Sequence, residues 1–204
     1  MKSTHAAEVV LPVLLLMPVS CNNNDENLSV SPPGLPNVIV PLQVGNTWIF
    51  RRISYDTLGA AGVPDTVVQR VERDTMIQAE RWFISETTSG QSAGTLRSDG
   101  YWTYIEGVPA LTFLYPASVH DTYPLSDTGP TMRILAVDTL IAVPFGTYPC
   151  IAYEQLSIQD GRRIRIDYYA ANTGPIRIEE YIRVSSGGDS VARKSDLIAS
   201  HAVR

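Results

Sequence analysis

Over much of its second half the chain alternates apolar and polar residues with a period of two. Ile164, Ile166 and Tyr168 alternate with Arg163, Arg165 and Asp167. After Asn172-Thr173-Gly174-Pro175 the alternation resumes, with Ile176, Ile178 and Ile182 set against Arg177, Glu179 and Arg183. Side chains of a strand point to opposite faces in turn, so two such runs around a turn predict a hairpin with one buried and one wet face. The opposite charges on the wet face are expected to pair across the strands, each pair contributing about 0.2–1 kcal/mol.

Further strands are predicted at Trp48–Tyr55, Thr66–Arg73, Arg81–Thr87, Tyr101–Ile105, Leu111–Tyr115, Met132–Val143 and Cys150–Ile158. Ser190–Ala199 reads as a strand or a short terminal helix. Turn signals separate them, among them Gly59-Ala60-Ala61-Gly62, Ser89-Gly90, Asp99-Gly100, Gly107-Val108-Pro109 and Ser186-Gly187-Gly188. Gly45-Asn46 is a turn dipeptide just before Trp48, which shares a strand face with Phe50. No window of a dozen residues has helical periodicity. The prediction is an all-β fold, a single antiparallel β-sandwich or curved half-barrel domain over residues 42–204.

The first forty residues break this pattern. A basic start (Met1, Lys2) leads into an apolar run from Val9 to Met17, then Pro18-Val19-Ser20-Cys21 and the polar stretch Asn22-Asn23-Asn24-Asp25-Glu26-Asn27. The apolar run is far shorter than the roughly 20 residues that span a bilayer. This layout resembles a bacterial lipoprotein signal peptide, cut before a Cys whose thiol receives a diacylglycerol. The resemblance implies a signal peptide over 1–20, a lipidated Cys21 and a membrane anchor in a bacterial cell envelope. The expected site is the outer membrane, facing the periplasm or the cell surface. The alternative is an ordinary secretory signal with Cys21 an incidental neighbour of the cut. Residues 22–41, rich in Asn, Ser and Pro without a period, read as a flexible tether.

The chain has 16 Lys+Arg against 21 Asp+Glu, a formal net charge of −5. That balance argues against nucleic acid, whose phosphates demand a basic face. With Cys21 acylated, Cys150 is the one remaining thiol, and its apolar setting Pro149-Cys150-Ile151-Ala152-Tyr153 reads as core. A Cys21–Cys150 disulfide is the minor alternative, and it would exclude lipidation.

Three segments carry a second resemblance. Pro41-Leu42-Gln43-Val44-Gly45-Asn46-Thr47-Trp48, Val143-Pro144-Phe145-Gly146-Thr147-Tyr148 and Tyr168-Tyr169-Ala170-Ala171-Asn172-Thr173-Gly174 resemble, in order and spacing, segments shared by uncharacterised all-β bacterial envelope lipoproteins. That resemblance implies fold and location and brings no catalytic residues.

Motifs for chemistry are sparse. Gly90-Gln91-Ser92-Ala93-Gly94 has the letters of a nucleophile elbow, but that elbow needs a helix after the Ser, and β-type sequence follows here. Asp127-Thr128-Gly129 matches one half of an aspartic-protease pair and has no second copy. His120-Asp121 is an isolated ligand-capable pair, and no metal or cofactor signature accompanies it. Asp-Ser/Thr followed by an apolar residue recurs, as at Asp56-Thr57-Leu58, Asp65-Thr66-Val67 and Asp74-Thr75-Met76. It resembles an O-glycosylation acceptor, and turn and strand-edge chemistry explains the same letters. The expected role is therefore a non-enzymatic structural or binding domain, with an unidentified envelope protein as a further partner. Two alternatives stand beside it: a carrier or chaperone for an apolar ligand in an open half-barrel, and a hydrolase using Ser92. Aromatics such as Trp48, Trp82, Trp102, Tyr104 and Tyr115 are expected to fill a closed core rather than line such a pocket.

Overall fold

The computed structural model describes residues 37–184 and 188–203. The signal segment, Cys21 and residues 22–36 of the tether lie outside the described residues.

Among the described residues twelve strands form one antiparallel sheet. They are β1 (Thr47–Ser54), β2 (Asp65–Ile77), β3 (Glu80–Thr87), β4 (Gly90–Arg97), β5 (Gly100–Ile105) and β6 (Val108–Leu114) in the first half. The second half comprises β7 (Thr122–Pro124), β8 (Thr131–Val143), β9 (Gly146–Leu156), β10 (Arg163–Ala170), β11 (Gly174–Arg183) and β12 (Asp189–His201). The spatial order is β6-β5-β4-β3-β2-β1-β12-β11-β10-β9-β8-β7. Each half is thus a meander of neighbouring hairpins, and β1 pairs with β12 to join the halves at the centre. The sheet is open, with β6 and β7 at its ends, so the half-barrel alternative holds and the two-sheet sandwich does not.

The open sheet rolls until its halves meet. Phe113 on β6 packs against Tyr153 on β9 and Tyr169 on β10, with ring centroids 4.9 and 4.2 Å apart, and it stacks on Tyr101 of β5 at 5.9 Å. Around these rings lie Trp48, Phe50, Val71, Met132, Ile134, Ile176 and Leu197, all buried. Removing each large side chain of this kind from water contributes roughly 1.5–3 kcal/mol. The seam is not closed by a ladder. The Leu114 N–H donates to Tyr123 Oη (3.1 Å), Tyr123 Oη donates to the Thr112 carbonyl (2.9 Å), and Tyr153 Oη donates to the Leu114 carbonyl (2.9 Å). Tyrosine hydroxyls thereby satisfy part of the β6 edge that a closed barrel would satisfy with backbone.

One end of the roll is plugged by the segment that leads in from the tether. Val38 exchanges backbone and side-chain hydrogen bonds with Asn172 in the β10–β11 turn (2.7 and 3.1 Å). Ile39 and Val40, which fall in the stretch read as tether, are buried in the core. Trp48 Nε1 donates to the Thr173 carbonyl at 2.7 Å, and its indole lies over Gly174 (φ 92°). A Cβ there would stand 3.1 Å from Nε1, so this turn needs glycine for both its φ and its space.

Gly90–Arg97, which none of the predicted strands covers, is a complete strand, and of the two readings of Ser190–Ala199 the strand holds, over Asp189–His201. The β10–β11 hairpin also lacks a clean wet face. Its register pairs Arg165 with Glu180 but Asp167 with Ile178 and Tyr168 with Arg177, with a bulge at Tyr168/Tyr169. The extra residue lies on β11, so the offset mixes charge and hydrocarbon on both faces and sets Ile178 and Glu180 on the inner face that Arg165 and Asp167 share with Tyr169.

Candidate functional site: a polar cleft on the concave face

Cross-strand registers place side chains in rows across the inner face. The outermost row is Gln155 (β9), Arg165 (β10), Glu180 (β11), Arg193 (β12) and Ser54 (β1), each directly opposite the next. One step deeper run Tyr153, Asp167, Ile178, Ser195 and Arg52, with Asp65 of β2 opposite Arg52. Deeper still the face is hydrocarbon, with Tyr169, Leu197, Phe50 and Val67. Polarity therefore falls from the mouth of the roll toward the plugged end.

The mouth opens into a cleft of about 560 Å³ lined by the outermost row together with Tyr55, Ile164, Tyr181 and Ile182. A second hollow of about 220 Å³ shares Arg165, Glu180 and Arg193 and extends past Arg52 and Gln69 to Thr87 and Ser89. The two form one groove across the concave face.

Its charges are paired in a chain. Arg165 grips Asp167 through Nε (2.9 Å to each carboxylate oxygen) and Nη2 (2.7 Å). Asp167 has no exposed surface and also accepts from Gln155 Nε2 at 3.4 Å. Arg165 Nη1 lies 3.8 Å from Glu180, which in turn accepts from Arg193 Nη1 at 2.9 Å. Arg52 Nε donates to both oxygens of Asp65 at 3.0 and 3.2 Å. The negative charge of Asp167 raises the Arg165 pKa. The hydrogen bond from Arg52 holds the Asp65 carboxyl below its ordinary value. Burial, then the hydrogen bond to Glu179, pushes the Tyr181 hydroxyl upward. Three guanidinium groups face three carboxylates, so the groove is polar and neutral in sum.

The residues singled out for chemistry are not brought together. Ser92 is exposed in the middle of β4, opposite Ser85 on β3, with no helix after it. Asp127 sits in a turn held by the Gly129 N–H donating to the Ser126 carbonyl at 3.2 Å. His120 is an exposed loop residue with φ 74°. Cys150 is a free thiol with no exposed surface, and burial pushes its pKa up to about 12. Several of the recurrent Asp residues hold local structure: Asp56 accepts from the N–H groups of Leu58 and Ala60, and Asp74 pairs with Arg81. Among the described residues no three His, Cys, Asp or Glu side chains group into a metal-sized site. Of the predicted aromatics, Trp48 fills the core, while Trp82 is buried on the convex side beneath Tyr104 and Arg97. Sequence reasoning missed the cleft, because alternation separates two faces without saying which becomes concave.

No protein-family model matches the chain, and no curated protein matches it in sequence. Two solved structures resemble it in shape. One is a Parabacteroides distasonis protein named as a candidate lipoprotein, 13% identical, with a TM-score of 0.43 over 82% of this chain and 100% of that one. The other is a Bacteroides fragilis protein named as a candidate exported protein with a YmcC-like fold. It is 12% identical, with a TM-score of 0.50 over 82% of this chain and the whole of the other. The rolled, open, all-β sheet of this chain is thus similar to the YmcC-like fold.

Proposed function

We propose that the chain is a lipid-anchored protein of the bacterial cell envelope whose β-domain is a non-enzymatic binding module, with its ligand taken in the concave cleft. The observation that carries the binding role is the polar row Gln155–Arg165–Glu180–Arg193–Ser54, contributed by five strands and opening into a cleft of about 560 Å³. That volume falls in the roughly 300–1,000 Å³ range of small-ligand sites. The signal layout ending at Cys21 supports the anchor. The fold neighbour named as a candidate exported protein agrees with it. Phe113, Tyr153 and Tyr169 fill the hydrocarbon interior, which favours a polar ligand at the mouth over an acyl chain inside. Ser92 lies in mid-strand, which disfavours the hydrolase alternative.

The arrangement suits a tethered module. Asn37 lies beside Asn172 and the β10–β11 turn. Glu180 lies six residues along β11 from Gly174, roughly 20 Å away at a strand rise of about 3.3 Å per residue. The cleft therefore opens at the end of the domain away from Asn37.

Labelling with radioactive palmitate tests the anchor, comparing the wild type with Cys21→Ser. Label on the wild type alone is expected, and equal labelling of both refutes the anchor. Hydrolysis of generic esters and peptides, if lost in Ser92→Ala, refutes the non-enzymatic reading.

A further inference from the structure

We infer that the cleft binds a neutral, hydroxyl-rich glycan chain lying across strands β9-β10-β11-β12-β1, an assignment that rests on the binding role proposed above. Three observations carry it.

The first is charge. Arg52, Arg165 and Arg193 are matched by Asp65, Asp167 and Glu180, so the groove offers no excess charge to a polyanion or polycation. The second is spare hydrogen-bonding capacity of both kinds. Arg193 uses Nη1 toward Glu180, leaving Nε and Nη2, and Gln155 donates through Nε2, leaving its amide oxygen. Ser54 and Ser195 make no side-chain hydrogen bond among the described residues, and each hydroxyl both donates and accepts. A sugar hydroxyl has the same dual character, and a hydrocarbon ligand would leave these groups unsatisfied.

The third is spacing. Successive members of the row sit on neighbouring strands, about 4.8 Å apart. That repeat is close to the length of one pyranose unit in an extended chain, so each ring meets one polar side chain. An extended peptide advances about 3.3 Å per residue and falls out of step with the row. Tyr55 and Ile182 beside the row supply apolar surface for the ring C–H faces.

Calorimetry on the full chain in detergent micelles tests this, with chitotetraose, maltopentaose, a heparin tetrasaccharide, an uncharged pentapeptide and dodecanoate as probes. At least one neutral oligosaccharide is expected to bind, more tightly as it lengthens toward five units. Arg193→Ala and Gln155→Ala are each expected to weaken binding about tenfold, and Arg81→Ala, on the far β2–β3 hairpin, to leave it unchanged. Arg193 has 45% side-chain exposure, so its variant is expected to fold, and Gln155→Ala provides the independent check. Failure of every neutral glycan to bind overturns the assignment, as does glycan binding that ignores both cleft variants. Binding of the heparin fragment, the peptide or dodecanoate instead, with loss in the cleft variants, refutes the glycan while sustaining the binding role. No binding by any probe removes both.

Discussion

The ring of Tyr101, on β5, lies directly over Gly94 on β4, so that a Cβ at position 94 would overlap the aromatic carbons. Tyr101 is buried and stacks on Phe113, so it has nowhere to retreat. This accounts for the second glycine of Gly90-Gln91-Ser92-Ala93-Gly94 by packing rather than catalysis. Gly94→Ala is expected to lower stability by ~3 kcal/mol, read from the urea midpoint. In the double variant Gly94→Ala/Tyr101→Leu the two losses should add to less than their sum, because the overlap is gone.

The seam between the halves rests on two hydroxyls. Tyr153→Phe leaves the Leu114 carbonyl without its partner, and Tyr123→Phe does the same to the Leu114 N–H and Thr112 carbonyl. Each should cost about 1–2 kcal/mol in urea unfolding. Amide exchange at Leu114 should rise in Tyr123→Phe well above the wild-type rate. An unchanged rate would mean that the seam is held by ring packing alone.

The β2–β3 turn holds two non-glycine residues in the left-handed region, Gln78 (φ 52°) and Ala79 (φ 64°). Such turns favour Asn-Gly. Gln78→Asn/Ala79→Gly should therefore raise stability by about 1 kcal/mol. A drop in the thermal midpoint would refute this.

Much of the strand pattern was legible in the sequence, and the site was not. Trp48 with Phe50 announces itself because both lie on the core side, and the Ile164–Ile182 hairpin announces its two strands by alternation although its faces mix charge and hydrocarbon. Strand β4 is quiet, since its inner face offers Leu96 but then Gly94, where the filling side chain comes from Tyr101 on the next strand, and an exposed Ser92. The cleft is invisible for a related reason. Arg165, Glu180 and Arg193 are far apart in sequence, and only registers offset by bulges at Tyr168/Tyr169 and Glu180/Tyr181 set them side by side.

The pair beneath the cleft should matter for stability. Asp167 is fully buried, and Asp167→Asn removes the carboxylate that Arg165 grips, leaving the guanidinium only Glu180 at 3.8 Å. A loss on the order of 2–3 kcal/mol is expected by urea titration, less than for a wholly buried pair because Arg165 keeps 33% side-chain exposure. Arg165→Met/Asp167→Leu should recover part of it.

Alkali should unfold the domain. Burial raises the pKa of Tyr101, Tyr123, Tyr153 and Tyr169, and that of Cys150 to about 12 from an ordinary 9.0. Above pH 9 the unfolded chain releases protons that the folded chain keeps, so stability falls as pH rises through the pH 9–12 window. The urea midpoint should decline steadily from pH 9 to pH 11, and absorbance at the tyrosinate band should rise together with unfolding. Ionisation of these four tyrosines in advance of unfolding would contradict the burial argument.

The β1–β12 ladder has a consequence for how the chain is made. Among the described residues it is the one pairing between the two meanders, and it joins Thr47 to His201, near opposite ends of the described stretch. Every other ladder forms between consecutive strands and can assemble as soon as its hairpin is synthesised. Strand β1 must wait, with one edge bare, until the final strand emerges. Closing so long a loop costs on the order of 4 kcal/mol in chain entropy. A ribosome stall or truncation anywhere before β12 would thus release a nascent chain carrying a sticky edge beside Trp48 and Phe50, a template for joining the wrong molecule.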